Sequence, residues 1–137
     1  MTGQARPICP MCGAPLFARQ HGDQTCVTHG HFASAQVLDA TFGAGTAQRV
    51  VQAVARAPLT PRKCPDDRYE MSALQNASGT VQADACGRCG GVWMPLAPIE
   101  NAMRATPRPD LSPAEARSLF ALACVRSLLP VAAQRAR

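Results

Sequence analysis

The chain has 137 residues and a formal net charge of +5, with 47% apolar but only 4% aromatic residues and seven cysteines. That length holds one ordinary domain or two very small ones, and units under about 40 residues need metal or disulfides to supplement a small core. The basic excess is mild and spread along the chain, without the dense Lys/Arg block of a nucleic-acid arm, and no run reaches the roughly 18 to 20 apolar residues of a membrane helix.

The best membrane candidate, Leu119 to Ala133, is interrupted by Arg126 and Pro130. Met1 to Pro7 contains no apolar leader segment, so a soluble protein of the reducing cytoplasm is expected. Seven cysteines cannot all pair, and four of them sit in two Cys-x-x-Cys pairs, which suits metal ligation better than a secreted disulfide framework.

The first pair, Cys9-Pro10-Met11-Cys12-Gly13, reads as a tight metal-binding knuckle. Leu16 and Phe17 begin a short strand, Gln20 to Gln24 makes a polar tip, and a return strand delivers Cys26 and His29. The spacing Cys-x2-Cys-x13-Cys-x2-His is that of two knuckles brought around one tetrahedral Zn²⁺ at the base of a hairpin. His31 competes for the fourth position. Setting Cys26 on Cys86 places His29 on Cys89, so His29 is chosen as ligand, and His31 is read as a polar turn residue or a donor behind the ligands.

From Ser34 the pattern becomes helical, with Val37, Leu38, Thr41 and Phe42 on one side before Gly43-Ala44-Gly45 breaks it. Thr46 is the expected N-cap of a second helix with the stripe Ala47, Val50, Val51 and Val54, and Leu59 to Lys63 reads as a linker. The second unit opens with Cys64-Pro65-Asp66-Asp67, where Asp67 holds the position of a second cysteine. A carboxylate is an acceptable but harder zinc ligand, and the alternative is that Asp67 only caps the turn. Tyr69–Gln75 and Thr80–Asp84 alternate as a hairpin turned at Asn76 to Gly79, and this leads to Cys86-Gly87-Arg88-Cys89-Gly90-Gly91-Val92-Trp93. Trp93 is expected to fill the core.

A short helix over Ile99 to Met103 follows, and then the spacer Thr106 to Asp110. Ser112, Pro113 and Glu115 form a capping-box signature for a helix to about Leu129. Its face of Leu119, Leu122, Val125 and Leu129, widened by Phe120 and Leu128, must be covered. Docking onto a partner or a second copy is the favoured expectation, because the spacer separates this helix from the rest. Cys124 on this helix reads as a buried small hydrophobe.

The motifs Cys64-Pro65-Asp66-Asp67 and Cys86 to Trp93 resemble the bacterial transcription factor IIB-type zinc ribbon family. Its pattern is a Cys-Pro-x-Cys or Cys-Pro-x-Asp knuckle, a small hairpin, then Cys-x-x-Cys-x-Gly-x-Trp and a helix. The resemblance covers 64 to about 103, and 9 to about 57 as a weaker copy in which His29 replaces the last Cys and Ala33 the Trp. The chain departs from the family after Trp93, where Met94-Pro95 and Pro98-Ile99 stand in place of Leu-Asp and Glu-Leu.

The expected architecture is therefore a small α+β protein. It comprises zinc ribbon 1 (1–33), a helical linker (34–63), zinc ribbon 2 (64–104) and a C-terminal amphipathic helix (105–137). Two Zn²⁺ are expected, one on Cys9, Cys12, Cys26 and His29 and the other on Cys64, Asp67, Cys86 and Cys89. One dication with three thiolates lowers the charge by one, so the loaded chain carries about +3. With no nucleophile and base pair visible, the expected function is non-catalytic. It is that of a scaffold or adaptor binding a protein partner or forming a homo-oligomer through the C-terminal helix. A weak nucleic-acid-binding or transcription-associated role, or a zinc or redox sensor, is the alternative.

Overall fold

The computed structural model describes residues 6–129. The leader reading at Met1 to Ala5, and everything read on 130–137, lies outside the described residues. Two three-stranded antiparallel units carry the architecture. The first is β1 (Phe17–Ala18), β2 (Gln24–Cys26) and β3 (Gly30–Ala33), and the second is β5 (Glu70–Gln75), β6 (Gln82–Cys86) and β7 (Val92–Pro95). The segment read as a linker is instead strand β4 (Leu59–Lys63), paired antiparallel with β5. Pro61 fits there because an edge strand needs no inner ladder bond from every residue.

β3 and β7 pair antiparallel, which joins the units into one seven-stranded sheet of order β1-β2-β3-β7-β6-β5-β4. The register places Phe32 directly opposite Trp93. Residues opposite each other share a face of the sheet, so these two aromatic side chains meet. Phe32, and not Ala33, therefore takes the place of the tryptophan in the first unit, because the run from His29 to Phe32 is one residue shorter than that from Cys89 to Trp93. Ala33 points to the other face.

Each face has its own core. On one, Phe32, Trp93 and Met71 pack with Leu16 and with Cys9, Cys26, Cys64 and Cys86, so both cysteine groups and the large aromatics form one cluster. On the other, Ala33, Val92, Met94, Ala83 and Ala85 meet the helices through Leu38, Val50, Val54, Ile99, Leu122, Val125 and Leu128. Small residues on the strands let the helices approach closely, as expected where large side chains are few.

Helix α1 (Ala35–Phe42) is capped by Ser34, whose hydroxyl accepts from the Val37 N–H. α2 (Thr46–Ala53) begins at Gly45, which adopts φ +86°; Thr46 is its first residue and not its cap, its hydroxyl donating back to the Gly43 carbonyl. α3 (Leu96–Ala105) is longer than expected, because Pro95 and Pro98 sit at its start, where no intrahelical N–H is required. α4 (Pro113–Leu128) has the full capping box of Ser112 and Glu115. Its apolar face is covered within the chain. Leu122, Val125 and Leu128 are buried and the helix packs on α3, β3 and β7, so the docking expectation for this face is replaced by intramolecular packing. The spacer Thr106 to Asp110 is a turn that reverses the chain, so it brings α4 back instead of holding it away. No helix among the described residues is long and apolar enough to cross a membrane.

Candidate metal centres

The two amino-terminal knuckles share one backbone pattern. The N–H of Gly13 donates to the Cys9 carbonyl and that of Cys9 to Ala14; in the second, Arg68 donates to Cys64 and Cys64 to Tyr69. The residue closing each turn lies in the left-handed region, Gly13 at φ +78° and Arg68 at φ +64°. Arg68 tolerates this because its guanidinium bonds the carbonyls of Pro65 and Arg6. The later knuckles sit between β2 and β3 and between β6 and β7, so the sheet register itself carries Cys26 and His29, and Cys86 and Cys89, to their partners.

Two groups result: Cys9, Cys12, Cys26 and His29, and Cys64, Asp67, Cys86 and Cys89, each with its donor atoms within 4.8 Å of one another. A tetrahedral zinc with Zn–S of about 2.3 Å and Zn–N or Zn–O of about 2.0–2.2 Å has S···S edges of about 3.8 Å and mixed edges of about 3.5–3.6 Å. In the first group Cys12 and Cys26 Sγ are 3.9 Å apart, and His29 Nδ1 lies 3.6 Å from the sulfurs of both Cys9 and Cys26. In the second, Cys64 and Cys89 Sγ are 3.8 Å apart, and both oxygens of Asp67 lie 3.5 Å from Cys86 Sγ. The donor sets thus have the edges of zinc tetrahedra, and two Zn²⁺ fit. Asp67 stands within the donor group and also caps the turn, its Oδ1 accepting the Tyr69 N–H at 2.9 Å.

The electrostatics call for a cation at each centre. Burial pushes the Cys9 thiol up to about 11. Hydrogen bonding from Cys64 and Cys89 holds Cys86 down at about 2, while the same contacts, with Cys86 first, drive Cys64 upward. Three sulfurs this close cannot all ionise unless a cation offsets their repulsion. Backbone N–H groups also aim at the sulfurs: Met11 at Cys9, Arg88 and Cys89 at Cys86, and Gly91 at Cys89, all at 3.3–3.4 Å. The two centres differ in exposure: Cys12 is exposed, whereas Cys64 and Cys86 are fully buried.

His31 is outside the first group. It lies in β3, 3% exposed, with Nδ1 2.6 Å from Asp23 Oδ2 and Nε2 3.2 Å from Thr25 Oγ1. Asp23, read in the sequence as part of a polar tip, is 1% exposed and also accepts from Ser118 of α4 at 2.5 Å. This network ties α4 to the first ribbon. Asp23 and Ser118 are 95 residues apart, and nothing in either local pattern marks them as partners. Cys124 is buried, which raises its thiol pKa, in line with a structural role.

Comparison with curated proteins and with solved structures returns no match. Residues 63–105, the segment that carries the second metal centre, β5 to β7 and α3, match the family of the transcription factor zinc-finger, the TFIIB-type zinc ribbon.

Proposed function

We propose that this protein is a non-catalytic zinc-binding scaffold or adaptor that presents its ribbon surfaces to a protein partner. The observation that carries this reading is that both donor sets are complete at four and are rooted in one shared core. A catalytic zinc keeps a position open for water or substrate, whereas four protein donors fill a structural tetrahedron. The alignment of Asp23, His31 and Thr25 resembles an acid, base and hydroxyl relay. It adjoins a cavity of only about 10 Å³, at the limit for a single water, which supports a structural role for these side chains.

Charge favours a protein over a nucleic acid. Three thiolates, one carboxylate and Zn²⁺ give the second centre about −2. This offsets the nearby Lys63, Arg68 and Arg88, while Met11 in the first knuckle and Tyr69 beside the second expose apolar surface. The second reading, a nucleic-acid-binding or transcription-associated ribbon, is supported by Arg88 lying 5.4 Å from the centroid of the exposed Tyr69 ring, a pair that could stack on a base. Affinity capture with the immobilised zinc-loaded chain, repeated after nuclease treatment, separates the two. A protein that survives nuclease and rebinds after purification supports the first reading. Capture that disappears with nuclease, and weakens steeply with salt, overturns it in favour of the second.

A further inference from the structure

The metal-side face of the sheet does not end at Trp93. Its register carries that face on to Asp84, opposite Trp93, then to Ala73, and finally to the cross-strand pair Gln75 and Gln82. There it opens as a groove of about 450 Å³, walled by Thr60 and Arg62 of β4 on one side and Pro95 on the other. That volume lies in the range of ligand sites, about 300–1,000 Å³.

One group at its floor is incompletely satisfied. The Asp84 side chain is 3% exposed, and its Oδ2 accepts from Arg62 Nε at 2.5 Å. Oδ1 has no hydrogen-bond partner among the described residues. Among the described residues the fully enclosed polar side-chain atoms without a partner are Arg49 Nε and Trp93 Nε1, so Asp84 Oδ1 keeps access from the groove and is an acceptor that a ligand can reach. Arg62 is meanwhile held by its Nε, and of its two outer nitrogens only Nη1 has a contact, with Met11 Sδ at 3.9 Å. The groove therefore offers an acceptor beside a fixed donor fork, flanked by two carboxamides, and the ion pair leaves it without net charge.

We infer that this groove binds an extended, uncharged peptide segment, one of whose backbone amides donates to Asp84 Oδ1 while a neighbouring carbonyl accepts from Arg62 Nη2. An amide presents donor and acceptor side by side without charge, as this floor requires. A simple anion or cation would instead break the Arg62–Asp84 pair. Pro61 lacks an N–H, and β4 is irregular between Leu59 and Lys63, so the segment is read by side chains across the face and not by ladder addition at the edge. A nucleobase also carries donor and acceptor edges, but no aromatic ring lines the groove to stack on it.

This inference rests on the protein-partner reading and assigns it a surface. The test is selection of a random dodecapeptide phage library on the zinc-loaded full chain, followed by ¹⁵N NMR titration of the enriched peptides. Enriched peptides should shift Ala73, Gln75, Gln82, Asp84 and the Arg62 Nε–H. Asp84→Asn should weaken them by about tenfold or more, the loss expected for a hydrogen bond to a buried charge, with two zinc ions still bound. Gln82→Ala, at an exposed position, should weaken them without touching the ion pair. Peptides that instead shift Met11 and Tyr69 overturn the groove and leave the scaffold reading standing. Failure to enrich any peptide, together with binding of a random single-stranded DNA pool, overturns both.

Discussion

Single residues at the knuckles have effects that their type alone would not predict. Arg68 occupies a left-handed position that costs a non-glycine residue about 1–2 kcal/mol, and it offsets this with two carbonyl bonds. Arg68→Ala retains the strain and loses the bonds, whereas Arg68→Gly removes both. Glycine should therefore be the more stable of the two by about 1 kcal/mol in denaturant titration of the zinc-loaded protein; an alanine variant as stable as the glycine one contradicts this. Among the ligands, Asp67→Cys should tighten the second centre by supplying a softer donor, and Asp67→Ala should weaken it by about tenfold or more in competition with a chromogenic chelator. His29→Ala should release metal from the first centre, whereas His31→Ala should lower stability through Asp23 with much less effect on metal affinity. The opposite result would transfer the ligand role to His31.

At the level of elements, two close contacts decide how helices seat on the sheet. Gly90 has φ +88°, and a Cβ there would lie 2.3 Å from the Ala47 carbonyl oxygen, so α2 can approach only because this residue is glycine. The zinc-ribbon pattern asks for glycine at Gly91 and leaves position 90 open, so nothing in it marks Gly90 or names α2 as its neighbour. At the first ribbon, Ser118 of α4 satisfies one oxygen of the buried Asp23. Ser118→Ala should cost about 1–3 kcal/mol, the penalty of leaving a buried acceptor without its donor. Leu122→Asp places a charge in the helical core and should lower the melting temperature sharply without changing the association state. A stable variant that loses a partner would restore docking to this helix. The helix start at Ser112 was legible in the sequence because capping is a local signal. The destination of its apolar face was not, since amphipathicity says that a face must be covered and not by what.

For the whole molecule, the shared core has a thermodynamic consequence. Because Cys9, Cys26, Cys64 and Cys86 pack in one cluster with Phe32 and Trp93, loss of either metal exposes the same core. Elemental analysis should give two zinc per chain, and chelation should produce one cooperative unfolding transition followed by near-UV dichroism of Trp93; two separate transitions would mean that the ribbons fold independently. Metal affinity should rise with pH. Burial keeps the Cys9 thiol protonated up to about 11, so zinc must displace its proton, and each step down in pH strengthens that competition. Stability linked to zinc is thus present at neutral pH and lost on acidification, as a pH-dependent zinc titration with a dye would report. The sequence by itself determined the two donor sets, the hairpins and the capped helix, because ligand spacing, strand alternation and capping act over a few residues. Only the tertiary structure decided that β3 and β7 fuse the ribbons into one sheet, that Phe32 meets Trp93, that Leu59 to Lys63 is a strand, and that Asp84 lies buried beneath Arg62. Each of these depends on strand register and on packing between segments distant in the chain, where a shift of one residue turns a side chain to the other face.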